Sequence, residues 1–202
     1  MIALIDIDIG NVNSVAKALK YLDIDYIVVT SPDELIGCDK YIFPGVGSFA
    51  VASRKLETSG LKLALKNAVL LEKKPFLGIC LGMQLIAKSG EEGVRSEGLG
   101  FIDAEIHRIP DHLDFKVPHV GWNSVGHDCS GIFENVPLNS DFYFVHSYRM
   151  ILKDKSLKCF YTEHGEKIIA YIEFENIYGT QFHPEKSQSE GLELLRNFSE
   201  LC

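Results

Sequence analysis

Cys80 stands in the run Gly78-Ile79-Cys80-Leu81-Gly82, after the apolar stretch that begins at Pro75 and before Met83-Gln84-Leu85. A strand that turns directly into a helix lifts the residue at the bend above the sheet edge. The turn is sharp, and glycines two positions either side remove the collision that side chains would make there. This is the frame of a nucleophile elbow with cysteine at its apex. The same bend sets the thiol at a helix N-terminus, where free N–H groups favour the thiolate. A Gly-rich loop can produce the same five letters, so the frame needs partners before it means catalysis.

A thiolate that attacks a carbonyl needs a base. Of the seven histidines, His107, His112, His119, His127 and His164 lie in polar or mixed segments that suit surface or structural roles, and His146 falls at a strand end. His183 differs. It follows the β-rich run Ile177-Tyr178-Gly179-Thr180-Gln181-Phe182, is fixed by Pro184, and has Glu185 two positions on. A carboxylate that close can accept one imidazole N–H and hold the tautomer whose other nitrogen faces sulfur. Cys80, His183 and Glu185 therefore form a candidate triad. Acyl chemistry also needs donors for an oxyanion. Gly45-Val46-Gly47, at the end of a strand, can present one backbone N–H, and Leu81, next after the nucleophile, another. Pro44-Gly45 also marks an ordinary strand-to-helix turn. A phosphate loop fits poorly, since no Lys-Ser/Thr follows.

These residues need a scaffold. Ile2 to Asp8 reads as a strand, and Val12, Val15, Ala16, Leu19 and Leu22 recur at helical spacing over residues 11–22. Strands follow at Asp25–Thr30 and Lys40–Gly45. Leu61, Ala64, Leu65, Ala68 and Leu71 mark a helix, Pro75–Cys80 is a buried strand, and Leu81–Gly90 reads as a short helix stopped by Gly90. Strand and helix alternate, which predicts parallel strands with crossover helices. Beyond residue 98 the pattern becomes strands with short connections: Leu99–Ile109, Asp141–Met150, Leu157–His164, Lys167–Asn176 and Ile177–Pro184, with hairpin turns at His164–Lys167 and Glu175–Gly179. A last helix begins near Ser187, with Ser187 and Glu190 in capping-box spacing and Leu194, Leu195, Phe198 and Leu201 on its apolar face. The expected architecture is an α/β fold, a mostly parallel twisted sheet flanked by helices with an added antiparallel portion, in a single domain over residues 1–202.

Composition narrows the classes. The net charge of −8, with Lys and Arg scattered, argues against nucleic acid as a partner. No apolar run is long enough for a membrane span, and the first residues, with Asp6 and Asp8, lack the basic start of a signal peptide. Five cysteines without paired spacing fit a reducing cytoplasm. His119, His127 and Cys129 match no standard zinc frame, so no metal site is expected.

Taken together, the elbow GICLGMQ, the loop PGVG and the terminal QFHPEKS resemble, in order and spacing, the class I (triad-type) glutamine amidotransferase family, over the whole chain. GNVNSV, FPGVGSF, VPHVGWN, YFVHSY and QFHPEKS resemble the branch of glutaminase subunits that feed a synthase of histidine biosynthesis. The resemblance implies that Cys80 attacks the side-chain amide of L-glutamine, that His183 is base and acid, and that Glu185 orients it. It implies an oxyanion hole of Gly47 (or the Val46–Gly47 peptide) and Leu81. Gly45, Gln84, Ser147 and Tyr148 would hold the substrate. The ammonia would pass to a separate (β/α)8-barrel synthase subunit in a heterodimer, docked near Asn11, Trp122, Asn123 and Lys186, and no metal or organic cofactor is implied. Relatives often read D-Y-G-x-G-N where this chain has Ile7 and Asp8, in a loop that faces the partner in the family. A paralogous glutaminase serving another synthase, such as one that amidates surface sugars, and a triad hydrolase or chaperone-like relative without glutamine specificity stay open at this point.

Overall fold

The computed structural model describes residues 1–111 and 115–201; His112 and Cys202 lie outside the described residues. Strands β1 (Ile2–Ile5), β2 (Tyr26–Val29), β3 (Lys40–Gly45) and β4 (Phe76–Cys80) alternate with helices α1 (Val12–Tyr21), α2 (Phe49–Thr58) and α3 (Leu61–Lys66), the last running on into a π-helical turn at Asn67–Leu71. Then come α4 (Leu81–Leu85) and strands β5 (Ala87–Glu92), β6 (Val94–Glu97), β7 (Ile102–Arg108), β8 (His119–Ser124), β9 (Asp141–His146), β10 (Tyr148–Leu152), β11 (Lys158–Glu163), β12 (Lys167–Phe174) and β13 (Ile177–Thr180). Helix α5 (Gln188–Glu200) ends the chain's regular structure.

The central sheet has the order β11-β12-β13-β4-β3-β1-β2, with β13, β4, β3, β1 and β2 parallel and β11 and β12 antiparallel. The expected mostly parallel sheet with an antiparallel portion is what forms. Its period-2 alternation builds two cores. Ala3, Ile5, Tyr41 and Phe43 face α2, α3 and a second sheet, β10-β7-β5-β6. Ile2, Leu4, Ile42, Leu77 and Ile79 face α1, α5 and Phe142 and Phe144 of a β8-β9 ribbon. Strand β4 is buried over its whole length, as a central strand covered on both faces must be.

Three local expectations differ from what forms. The run Leu81–Gly90 is helical only to Leu85; Ala87–Glu92 becomes β5 because β6 and β7 pair with it on both sides. Gly90 is a packing glycine there, since a Cβ would come within 2.9 Å of the Phe49 ring. The run Asp141–Met150 is broken at Ser147, and its halves join different sheets as β9 and β10. Ser187 does not cap α5 with Glu190: its hydroxyl donates 2.6 Å to the His183 carbonyl and accepts the Tyr143 N–H at 3.0 Å. Helix α2 is an element that the sequence reading lacks, although Phe49, Ala52 and Leu56 form a buried helical stripe. Among the described residues no helix is long and apolar enough to cross a membrane.

Candidate active site

The site lies at the C-terminal ends of β3, β4 and β13, where an open parallel sheet offers its crevice. Cys80 closes β4 and immediately precedes α4, with φ 54° and ψ −106°. That conformation is sparsely populated for a residue with a Cβ and is strained by about 1–3 kcal/mol. The flanking glycines explain how the bend closes. A Cβ at Gly82 would lie 1.8 Å from the Phe43 carbonyl oxygen, and one at Gly78 would lie 2.5 Å from that of Gly82. No larger residue fits either place without moving backbone, so the spacing around the cysteine is a steric requirement of the elbow.

His183 follows β13, the parallel neighbour of β4, so adjacent strands deliver thiol and imidazole to the same edge. Its backbone is held at both ends: the N–H donates to Tyr143 O at 2.9 Å, and its carbonyl accepts from Ser187. Pro184–Lys186 form a 3-10 turn that returns the Glu185 carboxylate to the ring, with Oε1 2.8 Å from His183 Nδ1. Nδ1 therefore carries the proton donated to Glu185, and Nε2 is the nitrogen left free. Nε2 is buried without a hydrogen-bond partner. Burial alone disfavours an imidazolium here, but interaction with the neighbouring Cys80 and Glu185 outweighs it and raises the His183 pKa to about 10. The ring is thus poised to hold a proton beside the sulfur.

A cavity of about 420 Å³ opens over Cys80, walled by Val46, Gly47, Leu81, Gln84, Ser147 and Tyr148 among others. Gly47 has φ 103°, and a Cβ there would meet nothing within 4 Å. The Val46 N–H donates to Ile9 O at 3.4 Å. Leu81 is the first residue of α4, so its N–H has no carbonyl one turn earlier to bond. Gly45 does not line the cavity. It sits in register with Cys80, and a Cβ on it would lie 3.2 Å from that of Leu81, so it serves the packing of the elbow.

Other expected positions are rearranged. Asn11, grouped by sequence with partner-facing residues, turns inward and donates to Glu185 Oε1, with its Nδ2 3.3 Å from His183 Nδ1. Its left-handed backbone, φ 73°, aims it there. Strand alternation separates Trp122 from Asn123. Trp122 is 48% exposed, while Asn123 faces inward and donates to Glu163 O at 2.8 Å. Lys186 is exposed, its Nζ 5.7 Å from the Tyr143 ring centre, and Trp122 lies 6.0 Å from the same ring. Neither Tyr143 nor Gln181 stands out in the sequence. The fully buried Gln181 lies with Nε2 3.7 Å from Cys80 Sγ, and its Oε1 accepts from Gln84 Nε2 at 3.1 Å. Only its place two residues before His183, just past the end of the strand that neighbours the nucleophile's, hints at this. Among the described residues no group of His, Cys, Asp and Glu is arranged to hold a metal ion, and Cys38, Cys80, Cys129 and Cys159 are free thiols.

A buried thiol, an imidazole with one free nitrogen, a carboxylate behind it and backbone donors beside a cavity are the parts of nucleophilic acyl transfer. The family model for "Glutamine amidotransferase class-I" matches residues 3–201, and the chain belongs to that family. It is 46% identical over 207 residues to the imidazole glycerol phosphate synthase subunit HisH 1 of Campylobacter jejuni (strain RM1221), covering 100% of both chains. It is 43% identical to the HisH 2 subunit of Methanococcus maripaludis, covering 98% of each. Among solved structures, a crystal structure titled as a glutamine amidotransferase superimposes with a TM-score of 0.77 at 18% identity, over 98% of this chain and 96% of that one. A glutamine amidotransferase from Thermotoga maritima gives 0.69 at 16%, over 99% and 98%. These two speak to the fold alone.

Proposed function

We propose that this chain is the glutaminase subunit of imidazole glycerol phosphate synthase, acting in histidine biosynthesis as a single amidotransferase domain in the cytoplasm. The observation that carries the chemistry is the Cys80 thiol in the cavity wall with the paired His183 and Glu185 buried beside it; full-length similarity to two HisH subunits carries the pathway.

Glutamine enters with its amino-acid end toward Gln84 and the Ser147–Tyr148 segment and its side-chain amide at Cys80. The Cys80 sulfur bonds to the amide carbon, and the oxyanion is met by the N–H groups of Leu81 and Gly47. His183 gives its proton to the leaving nitrogen, the C–N bond breaks and ammonia departs. The remaining thioester is attacked by water, whose proton returns to His183, and glutamate leaves as the C–S bond breaks. Glu185 holds the ring's tautomer throughout.

The ammonia acceptor is a synthase subunit, and we assign it the (β/α)8-barrel form, docked in a heterodimer over the face that carries Trp122, Tyr143 and Lys186. Free ammonia is lost to water, so the release point is sealed by the partner. The Val46 N–H bond to Ile9 O supports a loop set away from the oxyanion position, with Gly45 and Gly47 permitting the peptide to turn when the partner is loaded. The test is glutamate production by the purified chain, alone and with the barrel synthase and its ribonucleotide substrate. Turnover should rise by orders of magnitude on adding the loaded synthase. No glutamate under any condition would overturn the glutaminase reading; stimulation only by a different synthase would overturn the pathway.

A further inference from the structure

From the cavity wall inward, four side chains and backbone groups form a chain of hydrogen bonds whose direction is fixed at every link. His146 Nδ1 lies 2.8 Å from the Tyr148 carbonyl, which can only accept, so Nδ1 carries the proton. His146 Nε2 is then an acceptor, and His119 Nδ1, 3.0 Å away, must be the donor. His119 Nε2 is left to accept from Asn123 Nδ2 at 3.3 Å, whose other hydrogen goes to Glu163 O at 2.8 Å. The His119 ring is clamped face to face between Phe144 (centroids 4.7 Å) and His164 (4.0 Å), and both His119 and His146 are buried. The Tyr148 carbonyl at the far end also accepts from Gln84 Nε2 at 3.3 Å. Every member is matched, and a proton added to either ring would set N–H against N–H.

We propose that His119 is a positioning residue for substrate binding: by donating to His146 it fixes that ring's tautomer, which pins the Tyr148 carbonyl and so the Ser147–Tyr148 wall of the cavity. The inference rests on the glutaminase reading in that this wall receives the substrate's amino-acid end. His119 lies outside the cavity and touches no substrate. Residues 146–148 pass from one sheet to another: His146 pairs with His119 in the β8–β9 ladder, the Ser147 carbonyl accepts the Ile109 N–H at 2.8 Å, and the Tyr148 carbonyl is held by the side chains of His146 and Gln84. His119 also ties β8, whose outer face carries Trp122, to the substrate wall.

Two variants separate the donor from the ring. His119→Phe keeps a ring in the clamp and removes the N–H; His119→Asn places an amide N–H near the former Nδ1 and removes the ring. With the loaded synthase, His119→Phe should raise the glutamine KM about tenfold, equivalent to about 1.4 kcal/mol, with kcat changed much less, and His119→Asn should recover most of that loss. Alkylation of Cys80 by iodoacetamide, which needs no amino-acid subsite, should proceed alike in both variants and the parent. Long-range ¹H–¹⁵N spectra of the full chain should show both His119 and His146 as Nδ1–H tautomers. An unchanged KM in His119→Phe, an Asn variant no better than Phe, or an Nε2–H tautomer at His146 would each overturn the proposal. The spectra decide the relay even if glutamine is not hydrolysed, in which case the glutaminase reading fails separately.

Discussion

Replacing Glu185 by glutamine isolates the carboxylate's charge from its shape. Oε1 is the working atom: it accepts from His183 Nδ1 at 2.8 Å and from Asn11 Nδ2. Oε2 is buried and takes no hydrogen bond. In Glu185→Gln the amide oxygen can keep both bonds at Oε1 while the NH2 occupies the Oε2 position, where no protein donor opposes it. What is lost is a negative charge about 4 Å from the imidazolium centre, worth on the order of 4 kcal/mol at an effective dielectric of 20. The lower bound is the loss of charge assistance in one hydrogen bond, roughly 1 kcal/mol. The expected fall in kcat/KM is therefore between about 5-fold and 1,000-fold, with the fold intact. His183→Ala removes the base and acid itself and should fall roughly two further powers of ten. The assay is glutamate release with loaded synthase, at several pH values and beside a thermal melt of each variant. Glu185→Gln within about threefold of the parent would refute the orienting role. Equal losses in Glu185→Gln and His183→Ala would mean that the carboxylate takes part in bond making.

A glutamine-mimicking electrophile should label Cys80 alone among the five cysteines, and Cys80→Ser should abolish hydrolysis; mass spectrometry of the labelled chain and a glutamate assay check both. Gly82→Ala drives a Cβ to 1.8 Å from Phe43 O and should destabilise the chain by more than about 3 kcal/mol, read by urea unfolding. Burial, with neighbouring imidazoles His164 and His183 adding to it, depresses His119 to about 4 and His146 to about 3. Unfolded, both take protons near pH 6.5, so the stability they confer is complete above that value and is lost as pH falls towards 4 and 3, at up to about 1.4 kcal/mol per pH unit for each ring. Unfolding midpoints between pH 7 and 5 should show a slope that His119→Phe reduces. Lys186→Ala and Trp122→Ala should weaken the coupling of acceptor binding to glutamine hydrolysis without changing the melt; wild-type binding and coupling in both would move the docking face elsewhere.

The chemistry of this chain is more legible in its sequence than its connections are. The elbow can be read because steric need leaves a local mark: only glycine fits at 78 and 82, and only a residue at the bend is lifted clear. His183 and Glu185 are legible for a similar reason, since proline fixes their spacing. What escapes notice depends on pairing across long sequence separations. Ala87–Glu92 reads as a helix's end until β6 and β7 are present to claim it. Asp141–Met150 reads as one strand, because nothing in YFVHSYRM says that its halves join different sheets. Asn11 falls on the other side of its loop from the one expected, since a left-handed φ reverses a side chain without altering the letters around it. Gln181 and His119 look like ordinary strand residues, and their hydrogen-bond partners lie 101 and 27 positions away.

The same topology explains why strain can be kept at Cys80. Strand β4 is flanked by β3 and β13 in parallel register up to the last residue, with Gly45 opposite Cys80 and Thr180 opposite Ile79. Ladder bonds hold the strand rigid to the point where the chain must reverse into α4. Beyond it, Met83, Leu85 and Ile86 are fully buried in the core between the sheets. Each such side chain contributes roughly 1.5–3 kcal/mol of burial, and together they exceed the roughly 1–3 kcal/mol stored in one unfavourable φ/ψ pair. The apex residue is therefore over-determined by elements that cannot relax independently. Its partner His183 leaves the neighbouring strand three residues after Thr180, braced by Tyr143 and Ser187 rather than by the ladder. Cys80 is fixed by ladder bonds, His183 by a backbone bond to Tyr143 and the Ser187 hydroxyl, and the Tyr148 carbonyl by the side chains of His146 and Gln84. The Ser147–Tyr148 segment lines the cavity without taking part in the elbow's ladder, so exchanging glutamine for another substrate should require changes around residues 146–148 before any change at the elbow.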